Sequence, residues 1–523
     1  MSSVLFRGDD PNRGVAVRDG RIIAVGRDAL DSTPGATVDV SGGTLIPAFR
    51  DGHAHPLWAG QAMQGVPLVS ARSVEDILDR VRRHAAEHPH LPWVTGAGYD
   101  PSVLPGGIGD GRLLDAVEPA RPVLLWATDH HSAWANRPAL ELAGVTAGAA
   151  DPAGGRFARD ERGVPTGGLL EAAAHLVAAH LPTPTRECKE AGLRAALDTL
   201  ASEGIVWAQE AALSPDDVAV YAGLAATGEL PCRINVALRA DPQRWRDQLA
   251  ELDAVRRESP DTDLLTVRTV KFFADGIIES GTAALLEPYD DDHTSCGIAL
   301  WPGDELREAA VAVDRLGFQL HVHAIGDGAV RTALDAIEHV ADVNGPRDRR
   351  PVVAHAQLVH PDDLPRFVEL GVIANFQPLW AQQDALMTDL TEPRLGPTRS
   401  SWQYPIGSLL RSGAHVSFGS DWPVSSPRPL DGLSVAVTRR TSEGLPAGGW
   451  LPAERLGLTA AVRAYTKGVA YQAFDENECG MMAVGQRADF CLLSADPRAV
   501  DPGDLADVRV LRTWSSGREV FSS

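Results

Sequence analysis

The sequence predicts an α/β protein: a (β/α)8 TIM-like barrel with an inserted subdomain, and a small β-sandwich domain built from both termini. Three observations lead there. Short β-rich runs recur through the middle of the chain, separated by longer segments of helical periodicity, the alternation expected of βα units and a parallel sheet. The gap after the first run is far too long for one crossover helix. Both ends share a texture of short apolar runs broken by turn residues.

In chain order, VAVRDGRIIAVG places Asp19-Gly20 between two strand-like runs, a hairpin signal within the first 48 residues. Eight runs then read as the parallel strands: GTLIPAF (43–49), IVWAQE (205–210), RINVALR (233–239), TVRTVKFFA (266–274), FQLHVHA (318–324), PVVAHA (351–356), VIANFQ (372–377) and HVSFGSD (415–421). Between the first two, apolar runs at PWVTGAG (92–98) and PVLLWA (122–127) mark an inserted subdomain over about 58–200. GGIGDG (106–111) follows no strand and precedes no Lys-Ser/Thr, so it reads as a flexible turn and not a phosphate loop. RADFCLLSA (487–495) and VRVLRTWSSGREVF (508–521) are strands expected to pair with those of the N-terminus in one sheet. The division is a composite small β domain, 1–48 with 477–523, and a barrel over 49–476.

Composition narrows the partners. At 523 residues the chain is no single small module. Its 48 Lys+Arg against 70 Asp+Glu give a net charge of -22, which repels phosphate backbones and anionic lipid, so neither nucleic acid nor membrane is expected. With 44% hydrophobic and 23% charged residues it has an ordinary globular balance. Cys188, Cys232, Cys296, Cys479 and Cys491 form no CxxC pair, which suggests neither a disulfide framework nor a thiolate metal site and fits a reducing cytoplasm. MSSVLFRGDDPNRG lacks the apolar core of a signal peptide, and no run approaches the ~18 apolar residues of a membrane helix. A cytoplasmic location is expected.

The chemistry-bearing residues fall at strand ends. His53 and His55 in DGHAH follow the first strand, and residues two apart on an extended chain point the same way, so both imidazoles can reach one ion. Lys271 in VKFFADG is flanked by Val and Phe, where a charged ammonium is costly. Carbamylation by carbon dioxide makes such a lysine an anionic ligand, whereas the plainer reading has it snorkelling toward Asp275. His323 ends the fifth strand and His355 the sixth, with His321 one layer deeper on the fifth. Asp327 reads as a helix N-cap. Asp421, after the eighth strand, can bind an ion and take a proton from its water. Singly each has a structural explanation; jointly they meet at one mouth of the barrel.

With DGHAH, HSAWANRPAL (131–140), PTGGLLEAA (165–173), VKFFADG, HAIGD, AHAQ, GSDWPV and GQRADFCLL in that order, the sequence resembles the amidohydrolase superfamily, in particular its amidohydrolase 3 branch of YtcJ-like metal-dependent hydrolases. The resemblance implies one or two zinc or similar divalent ions, with His53, His55, His323, His355 and Asp421 as ligands and a carboxylated Lys271 as the bridge. It also implies that the N- and C-terminal segments pair beside the barrel.

The reaction expected on that basis is hydrolysis of a C–N bond. Water on the metal, its pKa lowered from about 15.7 to about 7, attacks a carbonyl as hydroxide; Asp421 accepts the proton and passes it to the departing amine. No GxSxG elbow supports an acyl-enzyme route. A single-metal deaminase of the same superfamily is the nearest alternative, but Lys271 and the absence of a glutamate in HAIGD weigh against it. A catalytically silent regulatory or binding protein is the alternative from another class. Trp58, Trp380 and Trp422 at strand ends, with Trp126 and Trp134 flanking Asp129-His130-His131, suggest an aromatic-lined pocket, ordinary packing being the plainer role for any one Trp; His131 is a candidate to orient the substrate carbonyl, the alternative being a histidine hydrogen-bonded within its loop. Some relatives are N-substituted formamide deformylases, so the expected partner is a small-molecule amide, an N-substituted formamide or small apolar amide first; a homodimer stays open. Glu171 reads as solvated or paired with arginine.

Overall fold

The computed structural model describes residues 4–10, 14–31, 35–128, 130–259 and 261–523. Its centre is an eight-stranded sheet: β1 (Phe49–Ala54), β2 (Ile205–Leu213), β3 (Arg233–Arg239), β4 (Leu265–Phe273), β5 (Gln319–Ala324), β6 (Val352–His355), β7 (Ile373–Phe376) and β8 (His415–Phe418). Neighbours follow chain order and every pair is parallel. The seam between β8 and β1 is tied just past the strand ends, where Asp421 N donates to His53 O (2.6 Å) and His55 N donates to Trp422 O (2.7 Å). The eight strands thus curl into a TIM-like barrel, its apolar exterior packed under the surrounding helices through residues such as Leu197, Leu238, Phe272 and Ile337.

Seven of the eight expected strands stand where the patterning puts them, and the first does not. GTLIPAF divides at Ala48: Thr44–Pro47 pairs antiparallel with Phe490–Leu493, and the barrel strand begins at Phe49. The apolar stretch serves the outer sheet, while the polar run FRDGHA is wholly buried in the barrel because its charges are satisfied inside. Arg50 donates to Asp475 (2.9 Å), and Asp51 accepts from the Ser420 hydroxyl (2.5 Å) and from the amides of Ser420 and His53 (3.0 Å each). His53 therefore lies within β1, and only His55 follows it.

The insertion is a six-stranded sheet, ordered Gly155–Arg159, Pro165–Glu171, Ser132–Ala135, Val123–Ala127, Val94–Tyr99 and Val66–Pro67. Helix Val74–Glu87 covers it, capped by Ser73, whose hydroxyl accepts from Asp76 N, and burying Ile77, Val81 and Ala85 at four-residue spacing. The chain enters and leaves the insertion by helices Pro56–Ala62 and Arg186–Ser202, which touch backbone to backbone. A Cβ on Gly60 would sit 2.2 Å from Gly192 O, so only glycine permits this crossing. GGIGDG runs from a short 3-10 turn, Pro105–Gly107, into helix Gly111–Asp115.

The chain ends form two four-stranded sheets and not one. Arg21–Val25, Gly14–Arg18, Val4–Arg7 and Ala36–Asp39 make the first; Arg518–Ser522, Val510–Ser515, Phe490–Leu493 and Thr44–Pro47 make the second. They face each other across Phe6, Val17, Ile22, Phe490 and Trp514, with the Phe6 and Phe490 rings 4.8 Å apart. The Asp19-Gly20 hairpin is present, both residues at positive φ as a two-residue turn of the right twist demands. Among the described residues no helix is long and apolar enough to cross a membrane.

Candidate active site

The strand ends named above converge. His53, His55 and Asp421, all buried, each offer a ligand atom within 4.8 Å of the others. His53 Nε2 lies 3.3 Å and His55 Nε2 3.0 Å from Asp421 Oδ1. Lys271 Nζ is 3.2 Å from His53 Nε2, on the other side of the barrel interior from the seam. His323 and His355 stand alongside, their rings 4.5 Å apart and the His355 ring 4.8 Å from that of His53, outside the tight His-His-Asp group. Asp421, His355 and Ala356 hold positive φ. Non-glycine residues in that region persist only where the surroundings over-determine them, and here they mark the site.

Neighbouring groups hold these side chains in place. His321, expected one layer down, donates or accepts at 2.8 Å between its Nε2 and His53 Nδ1. His355 Nδ1 meets Gln377 Oε1 at 2.7 Å, and His323 Nε2 approaches Gly276 O at 3.2 Å. Asp275 does not pair with Lys271. Its carboxylate accepts from the amides of Ala284, Ile325 and Gly326 and lies 3.6 Å from His323, because the loop after β4 folds back over the fifth strand end. Asp327 is the first residue of helix Asp327–Asn344 and not its cap; the residue before it is Gly326, and the Asp327 carboxylate accepts from Leu286 N and Gly328 N.

Burial sets the protonation states. It drives His53, His321, His323 and His355 well below the usual histidine range, with the charge of Lys271 acting in the same direction. Burial also lowers Lys271 to about 7, so a large share of the amine is neutral at physiological pH. On Asp421 burial works upward, but the close approach of His55 and the fields of His355, His55 and Lys271 outweigh it and hold the carboxyl at about 2. Asp421 Oδ1, His55 Nδ1 and Glu210 Oε1 are buried without a hydrogen-bond partner. Two imidazoles, an ionised carboxylate and unsatisfied polar atoms in a dry pocket fit a divalent cation.

The aromatic side chains divide. Trp58 stacks on His55 with centroids 4.1 Å apart, and Trp380 stacks on His355 at 5.4 Å. Trp422 is partly buried and contributes its carbonyl to the seam. Trp126 lies beside His130 (6.1 Å) and packs half-buried against the insertion core, whereas Trp134 is fully buried within it. Asp129 lies outside the described residues. His131 reaches the site from the insertion, its ring 5.0 Å from that of His323.

Two acids were not legible as site residues. Glu171, neither solvated nor paired with arginine, is buried at the end of strand Pro165–Glu171, where it accepts from Thr282 Oγ1 (2.7 Å) and faces His131 Nδ1 at 2.9 Å. Glu210, in β2, is fully buried, accepts from the Tyr221 hydroxyl and approaches His55 Nδ1 at 3.5 Å. A glutamate ending the apolar run IVWAQE is the one signal in the sequence that could have marked the second. For Glu171 there is none, since its partners come from the loop after β4 and from the neighbouring strand's end in the insertion.

Residues 36–521 match the amidohydrolase family. Protein LONG AFTER FAR-RED 3 of Arabidopsis thaliana is 31% identical over 97% of this chain and 88% of its own length. The N-substituted formamide deformylase of Arthrobacter pascens is 29% identical over 97% of this chain and 94% of that enzyme. An uncharacterized metal-dependent hydrolase from Pyrococcus furiosus superposes with a TM-score of 0.71 at 26% identity, covering 94% of this chain and 98% of its own. The barrel, the His-His-Asp group at its mouth and a match over nearly the whole length agree: the chain belongs to the amidohydrolase family.

Proposed function

We propose that this protein is a metal-dependent hydrolase cleaving the C–N bond of a small amide, and that it works in the cytoplasm. The observation that carries the reading is the buried His53-His55-Asp421 group with Lys271 beside it. One or two divalent ions, zinc first, would be held there by His53, His55, His323, His355 and Asp421, with a carboxylated Lys271 as a further anionic ligand. A bound ion supplies Lewis acidity, lowering the pKa of water toward neutrality and polarising a carbonyl.

The residues themselves do the rest. Asp421, ionised at neutral pH, accepts a proton from the attacking water and returns it to the leaving nitrogen. The neutral fraction of Lys271 is the form that adds carbon dioxide, forming an N–C bond and releasing one proton. His131, held by Glu171, is placed to hydrogen-bond the substrate, and the stacked Trp58 and Trp380 present apolar walls. The deformylase relative supports an N-substituted formamide or another small N-acyl amine as substrate. The unpaired cysteines, Cys188 and Cys296 among them exposed, support a reducing compartment.

The test is metal analysis of the purified protein with a panel of N-substituted formamides and acetamides. Bound zinc, or turnover restored by zinc, with release of the free amine supports the proposal. Ammonia from an aminated heterocycle without amide turnover would assign the single-metal deaminase instead. A protein that neither binds zinc nor gains activity with it is a regulator or binding module.

A further inference from the structure

Arg239, the last residue of β3, stands across the ladder from Lys271 of β4. Partners in a parallel ladder share a face, and Lys271 reaches inward to His53, so Arg239 is aimed at the same mouth. Phe273, two residues beyond Lys271, shares that face as well. Arg239 Cζ lies 5.3 Å from its ring centroid, Lys271 Nζ lies 4.7 Å from it, and the ring stands 5.4 Å from that of His323. One phenyl ring separates the guanidinium from the histidine cluster.

The surroundings of Arg239 are unusual for this molecule. The buried arginines are spoken for: Arg233 by Asp489 at 2.6 Å, Arg50 by Asp475 at 2.9 Å, and Arg439 by the carbonyl of Trp450 at 3.1 Å. Arg239 lies over the Phe273 face; among the described residues it has no ion pair within 4 Å and no hydrogen bond, and the carboxylates whose charge reaches it, Asp241 and Glu171, do not bond it. Its neighbours Leu238 and Ala240 are buried while its own side chain stays exposed, yet the crowding around it pushes its pKa down. That combination describes a side chain lining a cleft. With 70 acids to 48 bases, the chain has no shortage of counter-ions, so a guanidinium whose five N–H donors meet no acceptor among the described residues and stay open to solvent is a feature of this position.

The opposite wall continues from the metal-ligand group toward the same place. Rings follow one another from His55 to Trp58 (4.1 Å), His130 (6.0 Å), Trp126 (6.1 Å) and His175 (5.4 Å). His175 feels the charge of Arg239, so this aromatic row ends beside the guanidinium. The cleft therefore offers chemistry at one end, flat apolar surface along its length and an unpaired cation at the other.

We propose that Arg239 selects the substrate by pairing with an anionic group, so that the preferred amides carry a carboxylate, as in N-acyl amino acids with an aromatic or alkyl side chain. A bidentate guanidinium–carboxylate pair in a partly dry cleft is the arrangement arginine is shaped for. The inference rests on the amide-hydrolase reading.

The experiment compares N-formyl-L-phenylalanine with N-formylphenethylamine, which differ only in the carboxylate, on the zinc-loaded wild type, Arg239→Gln and Arg239→Lys. The wild type is expected to favour the acid at least tenfold in kcat/KM, mostly through KM; R239Q collapses that ratio and R239K restores part of it. Equal kcat/KM for the two compounds in the wild type, or equal losses for both in a folded R239Q, overturns the assignment. Calorimetric binding of the same pair separates this from failure of the hydrolase reading. If neither compound turns over, binding of the acid at least tenfold tighter than the neutral compound, lost in R239Q, sustains the anion site, and equal binding rejects it.

Discussion

His55 Nε2 lies 3.0 Å from Asp421 Oδ1, across the seam where the first and eighth strands meet. The two backbone bonds that tie this seam, Asp421 N to His53 O and His55 N to Trp422 O, also place the histidines against the acid. Barrel closure and site assembly are one event. Asp421→Asn keeps the shape but removes the proton acceptor, so kcat is expected to fall by about 10²-fold or more with the fold intact, checked by kinetics beside a circular-dichroism melt.

Lys271 is the second test. Replacing it with Met keeps the stem and removes the amine. If a carboxylated lysine bridges the ions, K271M binds less metal per chain by elemental analysis, and reconstitution of the wild type with zinc is faster when bicarbonate is added. Full metal content in K271M, with no bicarbonate effect, would exclude the bridge.

Glu171 and His131 form a positioning pair. Glu171→Gln is nearly isosteric, but it can present an amide N–H to His131 Nδ1 where a carboxylate stood, which favours the other tautomer. The expected result is a kcat lower by about 10–100-fold, in the range seen when groups that orient site ligands are removed, with a smaller change in KM. Thr282→Val, which removes the hydroxyl bond to Glu171 together with the contacts of that hydroxyl to Ile277 and Ser280, should have a weaker effect of the same kind.

Burial raises Asp51 from 3.8 to about 6 against the hydrogen bonds that favour its ionised form. A carboxyl that holds its proton more tightly when folded favours the fold at low pH, and that contribution is lost as pH rises from about 4 to about 6. The difference amounts to about 3 kcal/mol. Melting curves of metal-depleted protein across that range should show a decline that Asp51→Asn lacks.

Gly52 sits in β1 with no room for a side chain. A Cβ there would lie 2.5 Å from Asn375 Nδ2 and 2.9 Å from Phe418 O. Gly52→Ala must push β1 off β8, opening the seam, so it is expected to lower Tm and metal affinity together.

The order of the βα units, the sandwich hairpin and the meeting of His53, His55 and Asp421 were readable because each depends on a local pattern: period-two strands, a turn dipeptide, a polar residue at or near a strand end. Where a local pattern had two possible owners, reading failed. GTLIPAF is as good a strand for the outer sheet as for the barrel, and only the pairing of Thr44–Pro47 with Phe490–Leu493 assigns it. Trp134 and Trp126 look alike in the chain, but one is fully buried in the insertion core and the other packs against it half-buried, its ring beside His130.

By itself, then, the sequence determined the barrel and the kinds of donor atom at its mouth, since strand periodicity and side-chain chemistry travel with the residue. The tertiary structure alone decided what Glu171, Glu210 and Arg239 are for. An acid or a base takes its role from the partner opposite it: Thr282 and His131 for the first, His55 and Tyr221 for the second. For Arg239 the proposed role rests on the fold setting no hydrogen-bonding acceptor against it among the described residues.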